Sequence, residues 1–205
     1  MSNTKKLDLI IWGATGFTGQ LVSQYISKTY SSTDLKWGIA GRNKEKIFSI
    51  ANKLNINDDR IFIADSNNIE SLVKLTSKTK VICTTVGPYA KYGTNLVEAC
   101  ISSGTDYCDI TGETQWIRRI IDKYHKMAEE KKIKIINSCG FDSIPSDMGV
   151  YFSQNRIFEK TGEYASMINM RVAGAKGGIS GGTYNSLSNV LEEARIDKDV
   201  RKTLT

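Results

Sequence analysis

Gly13-Ala14-Thr15-Gly16-Phe17-Thr18-Gly19 stands between an apolar run, Leu7–Trp12, and a helix-periodic segment over residues 16–28, and so joins a strand to a helix through a glycine-rich turn. Glycine lets the chain turn tightly after the strand, lets backbone approach a phosphate, and lets the helix pack closely on the strand it follows. The helix N-terminus then offers unpaired N–H groups and a partial positive charge to an anion. Gly13, Ala14, Thr15, Gly16, Phe17, Thr18 and Gly19 are thus candidate cofactor-binding residues, placed where a dinucleotide pyrophosphate lies. A bare tight turn is the competing reading.

The pattern around this loop repeats. Short apolar runs at 7–12, 35–40, 60–64, 81–85, 105–109 and 134–137 read as buried strands. Between them, residues 16–28, 44–54, 67–76, 94–102 and 113–131 carry apolar side chains at helical spacing; in the last, Trp116, Ile117, Ile120, Ile121, Tyr124 and Ala128 share one face. Strand and helix in such alternation imply a doubly wound α/β domain with a parallel Rossmann sheet over residues 1–150. Beyond it, Pro145 can open a helix towards Phe158, and residues 164–173 alternate like a half-buried strand. Residues 151–205 are expected to begin a second, incomplete α+β domain that shapes a substrate site or a dimer interface.

The second strand tip chooses between nicotinamide cofactors. NAD sites place a carboxylate there for the ribose 2′-OH, and NADP sites a cation for the 2′-phosphate. Here the tip reads Gly41-Arg42-Asn43, with no acid before Glu45. Arg42, with Asn43 beside it, points to NADP(H), a guanidinium being able to grip phosphate through two N–H groups. A solvated loop arginine is the alternative. Asp65, ending the third strand, reads equally as an adenine contact or a turn residue. Thr85-Val86-Gly87-Pro88-Tyr89 closes the fourth strand at the carboxyl edge of the sheet. Val86, Gly87 and Pro88 are placed along the nicotinamide ribose, with Tyr89 facing the substrate.

Composition excludes several other classes. The 205 residues are 40% hydrophobic and carry a net charge of +6, with Lys and Arg scattered through helices rather than interleaved with aromatics, so nucleic acid is not an expected partner. The longest apolar run, residues 9–12, is far short of the roughly 20 a membrane span requires, and no signal-peptide core follows Met1. A cytoplasmic location is expected. The four cysteines lack C-x-x-C spacing and the one histidine cannot complete a metal set, so the cysteines read as reduced thiols.

Short-chain dehydrogenases share the glycine loop but act through Tyr-x-x-x-Lys, and no tyrosine here has a lysine four residues on. The chain instead resembles the saccharopine dehydrogenase-like oxidoreductases, in particular their branch of trans-acting enoyl reductases. The resemblance rests on the Gly13 to Gly19 loop, Ala40-Gly41-Arg42, Thr85-Val86-Gly87-Pro88-Tyr89 with Tyr92-Gly93, and Asp106-Tyr107-Cys108-Asp109-Ile110-Thr111-Gly112-Glu113. It continues through Cys139-Gly140-Phe141-Asp142-Ser143-Ile144-Pro145-Ser146-Asp147 and Gly177-Gly178-Ile179-Ser180-Gly181-Gly182-Thr183. It implies NADP(H) dependence, a Gly-Pro-Tyr turn beside the nicotinamide, and Phe141 and Asp142 bordering the cleft.

The expected chemistry is hydride transfer, which needs positioning and one proton donor. Tyr89 is the weak candidate donor, against a packing role. Cys139, Phe141 and Asp142 complete the candidate substrate side, Cys139 reading also as a small buried residue and Asp142 as a cap. Asp109 and Glu113 read as a strand-end acid and a helix-opening acid rather than a catalytic pair. The expected function is an NADP(H)-dependent oxidoreductase reducing a lipid-linked enoyl or related substrate. A non-catalytic dinucleotide-binding scaffold and a saccharopine-type dehydrogenase are the alternatives, the last disfavoured because the cleft-edge blocks lack arginines. Partners would be a small-molecule or lipid-linked substrate, with peripheral membrane or lipid-droplet contact and a homodimer left open for a full-length protein.

Overall fold

A computed structural model describes residues 6–31, 33–141, 143–174, 176–178 and 180–204. The chain runs β1 (Leu7–Trp12), α1 (Phe17–Thr29), β2 (Trp37–Gly41), α2 (Lys44–Leu54), β3 (Ile61–Ile63), α3 (Ile69–Thr76) and β4 (Thr79–Thr84). It continues with a single turn α4 (Tyr89–Tyr92), α5 (Thr94–Ser103), β5 (Asp106–Asp109), α6 (Thr114–Glu130), β6 (Ile135–Ile136), α7 (Ile144–Thr161), α8 (Gly181–Ile196) and α9 (Lys198–Leu204).

The six strands form one parallel sheet in the order β3-β2-β1-β4-β5-β6. Helix boundaries follow local chemistry. Asn43 and Asn68 cap α2 and α3 by accepting from Lys46 N at 2.8 Å and Ser71 N at 2.9 Å, while Gly104 and Gly162 end α5 and α7 in the left-handed conformation.

One face of the sheet packs Ile10, Trp12, Ile82 and Tyr107 against Leu72, Leu96, Cys100, Trp116 and Ile120 of α3, α5 and α6. The other packs Ile11 and Ile39 against Ile26, Ile47, Ile50 and Ala51 of α1 and α2. Each large side chain so buried contributes about 1.5–3 kcal/mol. The second face is covered over only half its width by the described residues. Ile39, Ile11, Cys83, Cys108 and Ile136 stand in one register row across it, the first two fully buried and Ile136 52% exposed.

The strand expected over residues 164–173 is not formed, so 151–205 contains helices but no strand among its described residues. Alternation alone does not make a strand, which needs a neighbour to pair with. Here Gln154 on α7 takes both backbone groups of Ala165, at 2.9 and 2.8 Å, and Tyr164 stacks on Phe158 with ring centroids 4.7 Å apart. α8 and α9 fold back on α6 instead, where Arg119 pairs with Glu193 at 2.9 Å and with Asp197 at 3.7 Å. No helix among the described residues is long and apolar enough to cross a membrane.

Candidate functional site

Strand order reverses between β1 and β4, since β2 lies on one side of β1 and β4 on the other. Loops leaving their carboxyl ends therefore diverge and open a crevice, the usual ligand position in such sheets. A cleft of about 510 Å³ lies there. Its walls are the β1–α1 loop, the β2 tip, the turn after β4, and Ser180 and Gly182 at the start of α8.

The three loop glycines do different work. Gly13 has φ +89°, and a Cβ on it would stand 2.5 Å from Val86 Cγ2, so the turn and its packing on the β4 loop both require glycine. A Cβ on Gly19 would overlap the Gly13 carbonyl oxygen and lie 2.7 Å from its carbon, which is how closely α1 packs on the loop. At Gly16 a Cβ would meet only Gly13 O, at 3.3 Å. Gly16 lines the cleft, so the room beside it is room a ligand could take. Gly16 is also the N-cap of α1 and supplies no side-chain acceptor, which leaves the first-turn N–H groups to an anion.

Gly13, Thr15, Gly16, Phe17 and Thr18 all line the cleft. Ala14 is buried in the second-face core and Gly19 is a spacer, so both shape the loop from behind.

At the β2 tip Arg42 and Asn43 line the same cleft, and Lys46, one helical turn on, adds a second cation. Arg42 and Lys46 enter none of the ion pairs among the described residues. Two unpaired cations, with no acid on that wall, fit a 2′-phosphate. The Asn43 side chain is spent on capping α2. Asp65 makes a turn, accepting from Asn67 N at 2.9 Å, and the next residue, Ser66, reaches the cleft in its place.

The turn after β4 contributes Thr85, Val86 and Gly87 to the wall, and Gly87-Pro88 is a cis peptide. Tyr89 departs from the sequence expectation of a substrate-facing side chain. It is 4% exposed, its hydroxyl donates to Thr84 O at 3.2 Å and accepts from Ile110 N at 3.4 Å, and its ring packs on Trp116 at 5.6 Å. Burial, and secondarily the Asp109 charge, pushes this phenol's pKa well above its usual range. The proline turn aims residue 89 inward, and Tyr92, three residues on, lines the cleft.

Behind the turn lies a buried polar network that joins three strand ends. Asp109 accepts from the Tyr107 hydroxyl at 2.8 Å, Asn137 Nδ2 at 2.7 Å, Thr111 N at 3.0 Å and Ser138 N at 2.9 Å. The Thr111 hydroxyl accepts from Glu113 N at 3.0 Å. Glu113, 1% exposed, sits at the N-cap of α6 yet turns its carboxylate to α4, where Oε1 accepts from Tyr89 N at 2.7 Å and Oε2 from Ala90 N at 2.9 Å.

Of the other expected substrate-side residues, Cys139 and Phe141 do not join the cleft wall. Cys139 is tied to β5 and β6, its N–H donating to Asp109 O at 2.7 Å and its thiol to Ile136 O at 3.5 Å, and burial raises its pKa. Phe141 is 75% exposed away from the cleft, and Asp142 lies outside the described residues. Lys46 was legible in principle, being four residues after Arg42 on the first turn of a capped helix. Ser180 and Gly182 had a signal in their glycine-rich, helix-opening block. Tyr92 had its signal in the Tyr92-Gly93 pair of the resemblance, but none that gave it a place on the cleft wall.

Among solved structures, yeast (Saccharomyces cerevisiae) saccharopine dehydrogenase (L-Glu forming) in apo form superimposes with a TM-score of 0.58 at 18% identity, over 75% of this chain and 31% of that one. An NAD binding oxidoreductase from Klebsiella pneumoniae does so with a TM-score of 0.50 at 15% identity, over 77% and 39%. These likenesses show a shared fold. In sequence, a Mycobacterium tuberculosis relative is 37% identical over 203 residues, 98% of this chain and 48% of that protein. Proteins named trans-acting enoyl reductase from Mycobacterium bovis and Mycobacterium ulcerans are 36% and 35% identical, over 98% and 97% of this chain and 48% of theirs. The chain thus spans about half the length of these relatives. Residues 9–136 match the family described as saccharopine dehydrogenase NADP binding domain, and with the glycine loop, the paired cations and the β1–β4 crevice in place the chain belongs to that family.

Proposed function

We propose that the protein serves as an NADPH-dependent reductase acting on an enoyl group, or a related unsaturated bond, of a lipid-linked substrate. The observation that carries this reading is the continuous cleft from the two cations, Arg42 and Lys46, past Gly16 to Val86, Gly87 and Tyr92. It has the parts a phosphorylated dinucleotide needs, in the order it needs them. The relatives named trans-acting enoyl reductase favour an enoyl acceptor.

NADPH held there would supply the hydride for one carbon of the double bond, the other carbon needing a proton. The chain's part is placement. Arg42 and Lys46 would hold the 2′-phosphate, the N–H groups behind Gly16 the pyrophosphate, and Val86, Gly87 and Tyr92 would wall the reacting end. Tyr92, which lines the cleft where Tyr89 does not, would take the substrate-facing role expected of Tyr89. A substrate of this class would bring a full-length protein to a membrane surface or lipid droplet.

The test is NADPH titration followed by NADPH oxidation with enoyl, keto and imine thioesters. Tight NADPH binding with oxidation only on enoyl substrates supports the reading. Binding with no oxidation across the panel favours the non-catalytic scaffold.

A further inference from the structure

Glu113 is a buried acid to which no cation pairs among the described residues. Both its oxygens are spent on consecutive backbone N–H groups at the start of α4. Burying an acid costs free energy that its hydrogen bonds must offset, so the position is informative about what those bonds hold.

They hold one turn. Lys91 N and Tyr92 N both close back on Pro88 O, at 3.2 and 3.1 Å, and Gly93 N on Tyr89 O at 2.7 Å, so the Glu113 carboxylate completes the donors of the segment from Tyr89 to Gly93. Gly87 stands just before that segment and Tyr92 within it, both on the cleft wall. The far end of Glu113 is itself anchored. Its N–H donates to Thr111 Oγ1, Thr111 N donates to Asp109, and Asp109 binds the β6 end through Asn137 and Ser138. From the turn the network thus reaches two neighbouring strand ends, and among the described residues none of its hydrogen bonds goes to the Arg42 side.

We infer that Glu113 is a positioning residue: it fixes the Pro88–Tyr92 turn against the sheet and so sets the shape of the nicotinamide end of the cleft, leaving the adenosine end independent of it. The inference rests on the reading of the cleft as an NADP(H) site. Glu113→Gln keeps one acceptor oxygen but sets an amide N–H against the second backbone N–H, which loses its partner. Asp109 and the phosphate loop keep theirs.

The experiment compares two ligands, NADPH and adenosine 2′,5′-bisphosphate, which carries the 2′-phosphate and adenosine but no nicotinamide. In Glu113→Gln the NADPH dissociation constant should rise about tenfold, as one unpartnered buried N–H implies, while that of the bisphosphate stays within about twofold. Thr111→Val, which only loosens the anchor, should show the same split at about threefold, and it decides the matter if Glu113→Gln does not fold. General loss of structure would weaken both ligands together. Equal losses for the two ligands, or no loss for NADPH, would overturn the positioning role. If the unaltered protein binds neither ligand, the underlying reading of the cleft falls first, and that result is visible before any variant is compared.

Discussion

Gly16 and Gly19 are both loop glycines in the sequence, yet the structure gives their replacement opposite consequences. In Gly19→Ala the new methyl overlaps Gly13 O and lies 2.9 Å from Ala14 Cα, and both are backbone, which cannot swing aside. α1 must then back away from β1, an overpacking cost of about 1–3 kcal/mol, which for a domain of this size lowers Tm by roughly 2–10 °C. In Gly16→Val the Cβ meets a single atom at 3.3 Å, and φ −78°, ψ 168° is extended backbone that valine adopts readily. Its stability cost as an N-cap change should stay below about 1 kcal/mol. NADPH at a hundred times its dissociation constant stabilises the unaltered protein by about 2.7 kcal/mol, a rise of roughly 5–10 °C that Gly16→Val should lack entirely. Thermal melts of both variants, with and without NADPH, read all four quantities. A wild-type NADPH shift in Gly16→Val, or a wild-type melt in Gly19→Ala, would refute the assignment of one glycine to the ligand and the other to packing.

Arg42→Ala should weaken NADPH about ten- to hundredfold and NADH little, with Lys46→Ala showing a smaller loss of the same kind; equal losses for both coenzymes would remove Arg42 from the 2′-phosphate. Tyr89→Phe should cost about 1 kcal/mol of stability, from the contacts to Thr84 O and Ile110 N, and leave NADPH affinity unchanged, whereas loss of turnover at unchanged stability would restore a catalytic Tyr89. Burial and the Asp109 charge raise the pKa of Tyr89 and Tyr107 in the folded protein. A raised folded pKa stabilises the fold fully below the unfolded phenol value of about 10 and progressively less above it, so the urea midpoint should fall as pH climbs from 9 to 11. A flat midpoint over that range would contradict the buried placement of both rings.

Much of the fold was legible because it rests on local pattern. Continuous apolar runs of strand length between amphipathic segments leave few arrangements other than a parallel sheet, and Asn43, Asn68 and Pro145 mark helix starts by chemistry that works within four residues. Residues 164–173 misled because alternation states only what a strand would look like. Whether a neighbour is free to pair is a tertiary fact, and Gln154 had already taken Ala165.

The glycine loop, the cation at the β2 tip and hence the class of cofactor could be read from residues in order along the chain. Each is set within a few residues of a strand end, where backbone geometry and charge act at short range. Which side chains reach the cleft depended on how distant elements pack. Tyr89 turned into the core and Tyr92 out of it, Lys46 came beside Arg42, and Glu113 bridged 24 residues to hold the turn. Side-chain direction in a turn depends on what packs behind it, and here that is β5, β6 and α6, elements distant in sequence that only the folded sheet brings together.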